Sequence, residues 1–412
     1  MSTVIICCSI VEGTHLMEFL LPNLNIIAWI GTITSSVYLL LVLFAGFHFR
    51  LKRKLRPRNA VPPPPVSLLK PLHGIEAGLR TNLASHFAQD YSGDFEILFC
   101  ARSAEDEGLL LARSIAELYP DVKCQFLVSG EPQFPNAKVH SLSVMAMAAS
   151  HELFVTTDAD VRVESDYLAR CVAEIESGDV DLAFCLYRGV PAIPTLALRL
   201  DALGKTVEMG SGVMVAVMLT GVDFALGPSM MFHRRAIADA GGFREIGDYY
   251  ADDFVFGHRL AARGRRVEIA AHVVELAVSA KDGWTSFTNQ LRWMQSTRRS
   301  RPWGHLGTGL IFAVPFGLLG FFTESSLGHA TVGIALLLAA ILNRVIQSAV
   351  VLTLLGERDV ASSSCLYPLR DLLGGALWLC SYLPLRTQYH GTSFKILPDG
   401  RLTPVSHLEG NA

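Results

Sequence analysis

The sequence has little charge and lacks the composition of a nucleic-acid-binding protein. Only 18% of its 412 residues are charged and half are hydrophobic. The mean hydropathy is +0.35. Soluble domains are seldom so apolar, so we expect part of the chain to lie in a lipid bilayer. The formal net charge of −3 lacks the basic excess of DNA- and RNA-binding proteins, and no nucleic acid is expected as a partner.

Paired cysteine motifs are also absent. The eight cysteines are scattered over positions 7, 8, 100, 124, 171, 185, 365 and 380, and none forms a C-x-x-C pair. This distribution predicts neither a zinc site nor a disulfide framework. It is consistent with a main domain that resides in a reducing compartment.

A long apolar run lies near the N-terminus. Residues 25–47 supply the ~20 residues that a transmembrane helix needs, and no signal-peptide cleavage site follows them. The basic residues directly after the run are Arg50, Lys52, Arg53, Lys54, Arg56 and Arg58. By the positive-inside rule, they hold the downstream chain in the cytoplasm. We expect residues 1–24 to be a tail, 25–47 a transmembrane helix and 48–65 a basic, proline-rich linker.

Strand and helix patterns alternate from Val66 onwards. Strands are predicted at 66–72, 95–101, 124–130 and 153–163, and helices at 79–89, 109–118 and 139–149. Strands that alternate with helices indicate βαβ units and a mostly parallel sheet. The predicted class is therefore α/β, with a mixed, mostly parallel sheet and flanking helices in a cytosolic domain over 66–305.

The second half of this domain is less regular. A strand is expected over 181–186 and a helix over 196–212. The apolar stretch 213–226 contains Asp223 and is bordered by several glycines, so it is predicted to be buried or to lie at a surface rather than to span the membrane. Residues 284–303 form a basic, amphipathic segment with three tryptophans, which is typical of a membrane interface.

Two acidic pairs are candidate site residues. Asp158 and Asp160 end a buried strand, at the edge where open α/β sheets bind ligands. Two hard carboxylates suit Mg²⁺ or Mn²⁺, and substrate phosphates often complete the ligand set of these ions. Two aspartates that only cap a helix can have the same spacing. Asp252 and Asp253 open a later helix, where a carboxylate is also favoured as a cap.

Six segments carry a resemblance to a known family. They are VSLLKPLHGIEAGLRTNLASHFAQDY, FPNAKV, TTDADVRV, ALGPSMMFHRRAIADAGGF, ADDFVFGHRLAARGRR and NQLRW. In this order and spacing, over roughly residues 25–320, the chain resembles the ceramide glucosyltransferases, which are inverting, processive-type glycosyltransferases with a GT-A core. It is also similar to hopanoid-associated glycosyltransferases of the same lipid-acceptor branch.

The resemblance implies a membrane-bound inverting enzyme that transfers a hexose from a UDP-sugar to a lipid hydroxyl. Glucose and ceramide are the favoured pair. One alternative is transfer of an N-acetylhexosamine or another sugar to a hopanoid or other lipid alcohol. The second alternative is a membrane protein that binds nucleotide sugars without catalysis.

The resemblance also implies roles for single residues. Asp253 matches the general base, and Asp158 and Asp160 match carboxylates beside Mg²⁺ or Mn²⁺ and the diphosphate. The residues expected at the donor are Lys70, Glu76, Lys138, Asp158, Arg292 and Trp293. The candidate acceptor or auxiliary residues are Asp252, Asn289, Gln290 and His233. His73 is equally compatible with a place near the uridine and with an ordinary surface position.

Two positions depart from the family pattern. Ser103 stands where relatives have an aspartate that helps to hold the nucleotide, and Glu105 and Asp106 follow shortly after it. Asn289 stands where relatives have Gln or Arg. These two departures favour the non-catalytic alternative, whereas the joint presence of Asp158, Asp160, Asp253 and Arg292 at matching positions argues against it.

The C-terminal third, 307–388, is predicted to lie in the membrane. Apolar runs at 307–322 and 332–355 form a hairpin that returns to the cytoplasm, and 373–385 is a third, shorter run. Arg344 should face protein or water, because a lipid-facing guanidinium is costly. Because the third run is short, it is open whether it spans the bilayer and on which side the tail, 389–412, lies.

Overall fold

The computed structural model describes residues 2–55, 63–176, 180–383, 387–389 and 392–404. Part of the predicted linker, 56–62, and the last residues of the predicted tail, 405–412, lie outside the described residues. Within these ranges, a mixed α/β domain stands between helices at both ends of the chain. The predicted fold class is confirmed.

An eight-stranded mixed sheet forms the centre of the domain. Its strands are β1 Val66–Pro71, β2 Phe95–Ala101, β3 Lys123–Val128, β4 Leu153–Thr157, β5 Val161–Arg162, β6 Leu182–Pro191, β7 Ser229–His233 and β8 Val267–Val278. Their order is β3-β2-β1-β4-β7-β6-β8-β5. The pairs among β3, β2, β1 and β4 and the pair β6–β8 are parallel, whereas β7 is antiparallel to both neighbours. The long strand β8 has no counterpart among the sequence predictions.

Helices cover both faces of the parallel half of this sheet. They are α2 Leu79–Phe87, α3 Glu107–Ala116, α4 Ala137–Ala148 and α5 Tyr167–Glu176. Successive residues of a strand point to opposite faces, so Leu68 packs with α2, α3 and α5, whereas Leu69 packs with α4. Because both faces are covered, the strands are continuous apolar runs, which made them recognisable in the sequence.

The helices of the second half are α6 Leu196–Leu203, α7 Met209–Thr220, α8 Arg235–Asp239, α9 Phe243–Gly247, α10 Asp252–Ala262, α11 Gly283–Ser300 and α12 Pro302–Thr308. A π-helical turn, Gly204–Glu208, joins α6 to α7. Thr206 Oγ1 stabilises this turn, since it donates to Ala202 O at 2.7 Å and accepts from Gly189 N at 2.9 Å.

Three helices of the described chain are long and apolar enough to cross a membrane, at Leu20–Lys52, Leu196–Thr220 and Ala330–Leu354. The chain is therefore a membrane protein. The first candidate lies in α1, Ser2–Leu55, which continues through the predicted tail without a break. The second candidate includes part of the stretch 213–226 that was predicted not to span.

The C-terminal helices are α13 Val314–Ser326, α14 Ala330–Leu354 and α15 Val360–Cys380. The predicted run 307–322 is divided between α12 and α13, because Gly309 ends one helix and Pro315 starts the next. Arg344 is 1% exposed, and its Nη1 lies 3.5 Å from Asp371 Oδ1 of α15. The guanidinium faces protein, as expected. Strands β9 Thr387–Tyr389, β10 Thr392–Ile396 and β11 Leu402–Pro404 form a small antiparallel sheet.

Candidate active site

The candidate site lies at one edge of the large sheet, beyond the carboxyl ends of β1 and β4. These strands are parallel, so they end at the same edge, where α/β sheets bind ligands. β7 is antiparallel to β4 and begins there, with Ser229 opposite Thr157. The loop before β7 therefore meets the residues after β4, and Asp158 N donates to Pro228 O at 3.3 Å.

Lys138 joins the two acidic pairs that are far apart in the sequence. Its Nζ lies 2.6 Å from Asp158 Oδ1 and 4.0 Å from Asp252 Oδ2. Burial alone would lower the pKa of Lys138, but Asp158, Asp252 and Asp253 outweigh it and hold that pKa well above its usual value. Lys138 is thus a permanent cation between the acidic pairs.

Asn136 fixes the position of Lys138 relative to the second acidic pair. As the N-cap of α4, its side-chain oxygen accepts from Lys138 N at 3.1 Å. Its Nδ2 donates to Asp252 Oδ1 at 3.2 Å and to Tyr249 O at 3.0 Å. One side chain therefore ties the start of α4 to the start of α10.

The Asp253 carboxylate is held from two sides. Its Oδ1 accepts from Phe254 N at 2.8 Å, within the first turn of α10, and its Oδ2 accepts from Gly227 N across the site. The first bond is a contact at the start of the helix, which from the sequence could have been the only role of Asp253. The second bond comes from a residue outside that helix. Burial and Asp252 raise the pKa of Asp253 to about 6, although Lys138 opposes them. Such a carboxylate is mostly ionised at neutral pH and can accept a proton.

Asp160 is the carboxylate with spare binding capacity. Its Oδ1 is buried, and it has no hydrogen-bond partner in the described part of the chain. Burial and Asp158 raise the pKa of Asp160 to about 7, while Lys205 lowers it. A buried carboxylate oxygen without a partner is costly, so this arrangement suits a bound cation.

Lys70 lies beneath the first acidic pair rather than beside a donor cleft. It is 0% exposed. Its Nζ donates to Asp158 O at 2.7 Å and to Thr157 Oγ1 at 3.0 Å, and it lies 3.4 Å from His86 Nε2. Burial lowers the pKa of Lys70 to about 7, against the charges of Asp158 and Asp160. In this structure Lys70 holds the backbone of the pair.

An open cleft of about 490 Å³ lies beyond β1, β2 and β3. Its lining residues are His73, Arg102, Ser103, Glu105, Asp106, Gly130 and Glu131. Asp106 is engaged within the protein, because it accepts from Gly74 N at 2.9 Å and caps α3 through Gly108 N at 2.9 Å. Ser103, at the departure from the family pattern, donates to the exposed Glu105. Glu76, also exposed, accepts from Ser279 Oγ at 3.2 Å.

Trp293 and Lys205 form another wall near Asp160. Trp293, on α11, packs against the same buried core cluster as Ala159 and Leu226 do. Lys205 Nζ, in the π-helical turn, lies 5.6 Å from the Trp293 ring centroid and 3.7 Å from Asp201 Oδ1. Lys205 was not among the residues predicted from the sequence. The only available signal was a lysine in a mostly apolar helix that also contains Arg199, Asp201 and Glu208.

Arg292 and Gln290 lie on the same helix but differ in their surroundings. Burial raises the pKa of Tyr250, and the positive charge of Arg292 lowers it. Arg292 therefore lies near the loop that precedes Asp253. The Gln290 side-chain oxygen accepts from Arg370 of α15, and Arg370 also binds both oxygens of Glu208 at 2.7 and 2.8 Å. Gln290 thus connects α11 to α15. Asn289 is half-buried on α11.

The structure does not bring His233 to the site. His233 pairs with Leu153, at the start of β4, whereas Asp158 follows the end of that strand. A five-residue strand is roughly 17 Å long, so the two residues lie at opposite edges of the sheet. From the sequence, His233 was a candidate acceptor or auxiliary residue. The antiparallel direction of β7 carries it away.

Comparisons with known proteins give one family and several relatives. The family model "Glycosyl transferase family 21" matches residues 27–402. Ceramide glucosyltransferase 1 of Caenorhabditis elegans is 28% identical over 329 residues, which cover 78% of this chain and 68% of that protein. Ceramide glucosyltransferase 3 of the same organism is 24% identical over 408 residues, 96% and 86% of the two chains.

Among solved structures, the chain is similar to a mannosyltransferase from Pyrobaculum calidifontis in complex with GDP-Man and Mn²⁺. The TM-score is 0.48 at 19% identity, and the match covers 86% of this chain and 97% of that one. A shorter and closer match in sequence is the ceramide glucosyltransferase of Komagataella phaffii, 35% identical over 144 residues, 33% of this chain and 28% of that protein.

Proposed function

The chain belongs to glycosyl transferase family 21, and we propose that it transfers glucose from UDP-glucose to the hydroxyl of ceramide with inversion at the anomeric carbon. The observation that carries this proposal is the group of four aspartates and one lysine at the sheet edge, in which Lys138 links Asp158 to Asp252 and Asp253. The relatives named ceramide glucosyltransferase support the choice of substrates.

The donor would occupy the sheet edge between the open cleft and Trp293. The cleft beyond β1, β2 and β3 has room for the uridine, with His73 and Glu105 at its wall. The diphosphate would then lie at Asp158 and Asp160, within reach of Lys205 and Arg292. Trp293 offers a planar apolar face for the sugar. Lys70 and Gln290 act through other groups, Lys70 by holding Asp158 and Gln290 by tying α11 to Arg370.

Asp158 and Asp160 are the residues that would hold Mg²⁺ or Mn²⁺. The buried Asp160 oxygen has no protein partner among the described residues, and hard oxygen ligands suit both ions. No cluster of three or more metal-type side chains occurs in the ranges that the structure describes, so the donor diphosphate and water would complete the ligand set. When bound, the ion supplies charge neutralisation for the leaving UDP.

Asp253 would act as the general base. The acceptor hydroxyl gives its proton to the Asp253 carboxylate while its oxygen attacks C1 of glucose, on the face opposite UDP. The bond from C1 to the UDP oxygen breaks, and UDP departs with that electron pair. Gly227 N fixes the carboxylate for this step, and Lys138 keeps it ionised at neutral pH.

The lipid would reach this site from the membrane surface. Trp284 and Trp303, at the two ends of the predicted interfacial segment, are 72% and 82% exposed. Exposed tryptophans are typical of the lipid headgroup region. We propose that the sheet domain faces the cytoplasm, because the basic residues after the first membrane helix hold that side in the cytoplasm.

The test is an incubation of membranes that contain the protein with Mg²⁺ or Mn²⁺ and labelled UDP-glucose or UDP-N-acetylglucosamine. Ceramide, a hopanoid polyol and diacylglycerol are offered separately. We expect labelled glucosylceramide, and we expect its loss in Asp253→Asn with UDP binding retained. Label on another lipid or from the other donor would refute the substrate pair. Binding of UDP without any transfer would support the non-catalytic alternative.

A further inference from the structure

We propose that the C-terminal segment 392–404 is part of the active site and positions the general base, from the same side of the membrane as the catalytic domain. The proposal rests on the proposed function, because it takes Asp253 as the base. It goes beyond that function by giving a role to a segment that is separated from the catalytic residues by the C-terminal helices.

The C-terminal segment forms backbone hydrogen bonds with the loop just before Asp252 and Asp253. Tyr250 N donates to Gly400 O at 3.1 Å, and Leu402 N donates to Asp248 O at 2.8 Å. Tyr249 and Arg401 form an isolated antiparallel bridge between these two bonds. The segment thus adds an extended strand to the base-bearing loop, residues 248–251.

Side chains reinforce this backbone contact. Ile396 and Leu402 are buried, and Tyr250 packs against both of them. Arg401 lies with its guanidinium 5.5 Å from the Tyr249 ring centroid, and its Nε donates to Tyr249 OH at 3.3 Å. Tyr250 is therefore held from the C-terminal side only two residues before Asp252.

The base-bearing loop is also held from its opposite side. Asn136 Nδ2 donates to Tyr249 O at 3.0 Å, and Asn136 N donates to Gly247 O at 2.9 Å. The N-cap of α10, Ala251, has no side chain that can cap the helix. The start of α10 is therefore positioned by Asn136 on one side and by the C-terminal segment on the other.

The contacts of α15 agree with this location of the tail. Its N-terminal end lies beside the sheet domain, where Arg199 Nη2 donates to Ser362 Oγ at 2.8 Å. Its C-terminal end lies beside α11, where Gln295 Nε2 donates to Leu383 O at 3.3 Å. The middle of α15 contacts α14, since Asp371 lies 3.5 Å from Arg344. The hydrogen bonds that join Gly400 to Tyr250 and Leu402 to Asp248 place the tail and the sheet domain on one side.

Two neighbouring residues of β11 provide a matched pair of variants. Leu402 is buried against Tyr250, whereas Thr403 is exposed on the same strand. In the full-length protein, Leu402→Asp should lower kcat by roughly 100-fold, since a small displacement of a catalytic group has that effect. The KM for UDP-glucose and the binding of UDP should change less than about twofold, because the donor residues are untouched. Thr403→Asp should behave as the unmodified protein.

Equal kcat values for Leu402→Asp and Thr403→Asp would overturn the positioning role. A parallel loss of UDP binding would also overturn it, because that result indicates general destabilisation. If Leu402→Asp fails to fold, Arg401→Ala decides instead. Arg401 is exposed, and its removal should lower kcat several-fold at unchanged UDP affinity. If the unmodified protein transfers no sugar, the proposed function is refuted. Failure of the positioning role is a different outcome, because it is seen only when the unmodified protein is active.

Sidedness has its own measurement. With Cys365 replaced by Ser, Thr403→Cys and Lys123→Cys are placed in separate proteins and treated with a membrane-impermeant maleimide in sealed vesicles. Lys123 is an exposed residue of the sheet domain. We expect both cysteines to react in vesicles of the same orientation. Reaction of the two cysteines in vesicles of opposite orientation would overturn the location of the tail.

Discussion

The acid limb of the pH–rate profile is the most direct report on Asp253. A general base must be ionised, and burial beside Asp252 raises the pKa of Asp253 to about 6. At pH 7 about nine-tenths of the enzyme would carry an ionised base, and at pH 5 about one-tenth would. The transfer rate at saturating donor and metal should therefore fall about tenfold from pH 7 to pH 5.

Lys138 gives this prediction a second, independent part. Its positive charge lowers the pKa of Asp253, so Lys138→Met should move the acid limb to higher pH. The exposed Lys281 is the matched control, since Lys281→Met removes a lysine without touching the acidic pairs. The shift of the limb, rather than the rate at one pH, is the quantity to compare.

The assay is initial transfer to ceramide in detergent, at saturating UDP-glucose and metal, between pH 4.5 and 8. UDP binding is measured at each pH, so that loss of the donor is separated from protonation of the base. A flat profile between pH 5 and 7 would refute Asp253 as the base. A limb that does not move in Lys138→Met would refute the electrostatic role of the lysine.

Three further substitutions test other parts of the site and the membrane region. Asp158→Ala should abolish metal-dependent UDP binding, and unchanged affinity in Mn²⁺ would assign this carboxylate a purely structural role. Lys205→Met should weaken UDP binding more than uridine binding, because an ammonium group contacts phosphate; equal effects on both ligands would contradict that contact. Arg344→Met leaves Asp371 without its cation, so thermal unfolding in detergent should show a loss of about 3–5 kcal/mol, and an unchanged unfolding temperature would count against the ion pair.

The elements that repeat a local pattern were predictable from the sequence. The strands β1 and β2 are apolar runs buried on both faces, and each was found within one residue of its bounds. The helix α4 was found within two residues of its bounds. The strand β4 was found as well, but its predicted end at 163 lies six residues beyond Thr157. The long helix α14 is recognisable by its composition alone. The strand β8 was missed, because its alternating half was not distinguished from an irregular segment.

The candidate site could be predicted only one residue at a time. Asp158, Asp160 and Asp253 were found by position at strand and helix ends and by the family resemblance. Nothing in the chain indicated that Lys138 lies between the acidic pairs, since Asp158 and Asp252 are brought together by the pairing of β4 with β7. His233 was misplaced for the same reason, because the direction of β7 is a property of the sheet and not of the strand's own residues.

The sequence by itself determined the α/β class, the apolar helices and the acidic residues available for chemistry, because periodicity and composition act over a few neighbouring residues. Only the tertiary structure decided which charges meet and which groups position them. Lys205 reaches Trp293 through a π-helical turn, and Leu402 reaches Tyr250 from the far end of the chain. Such contacts depend on the order of strands and the packing of helices, and these are set by the burial of the whole chain rather than by any one segment.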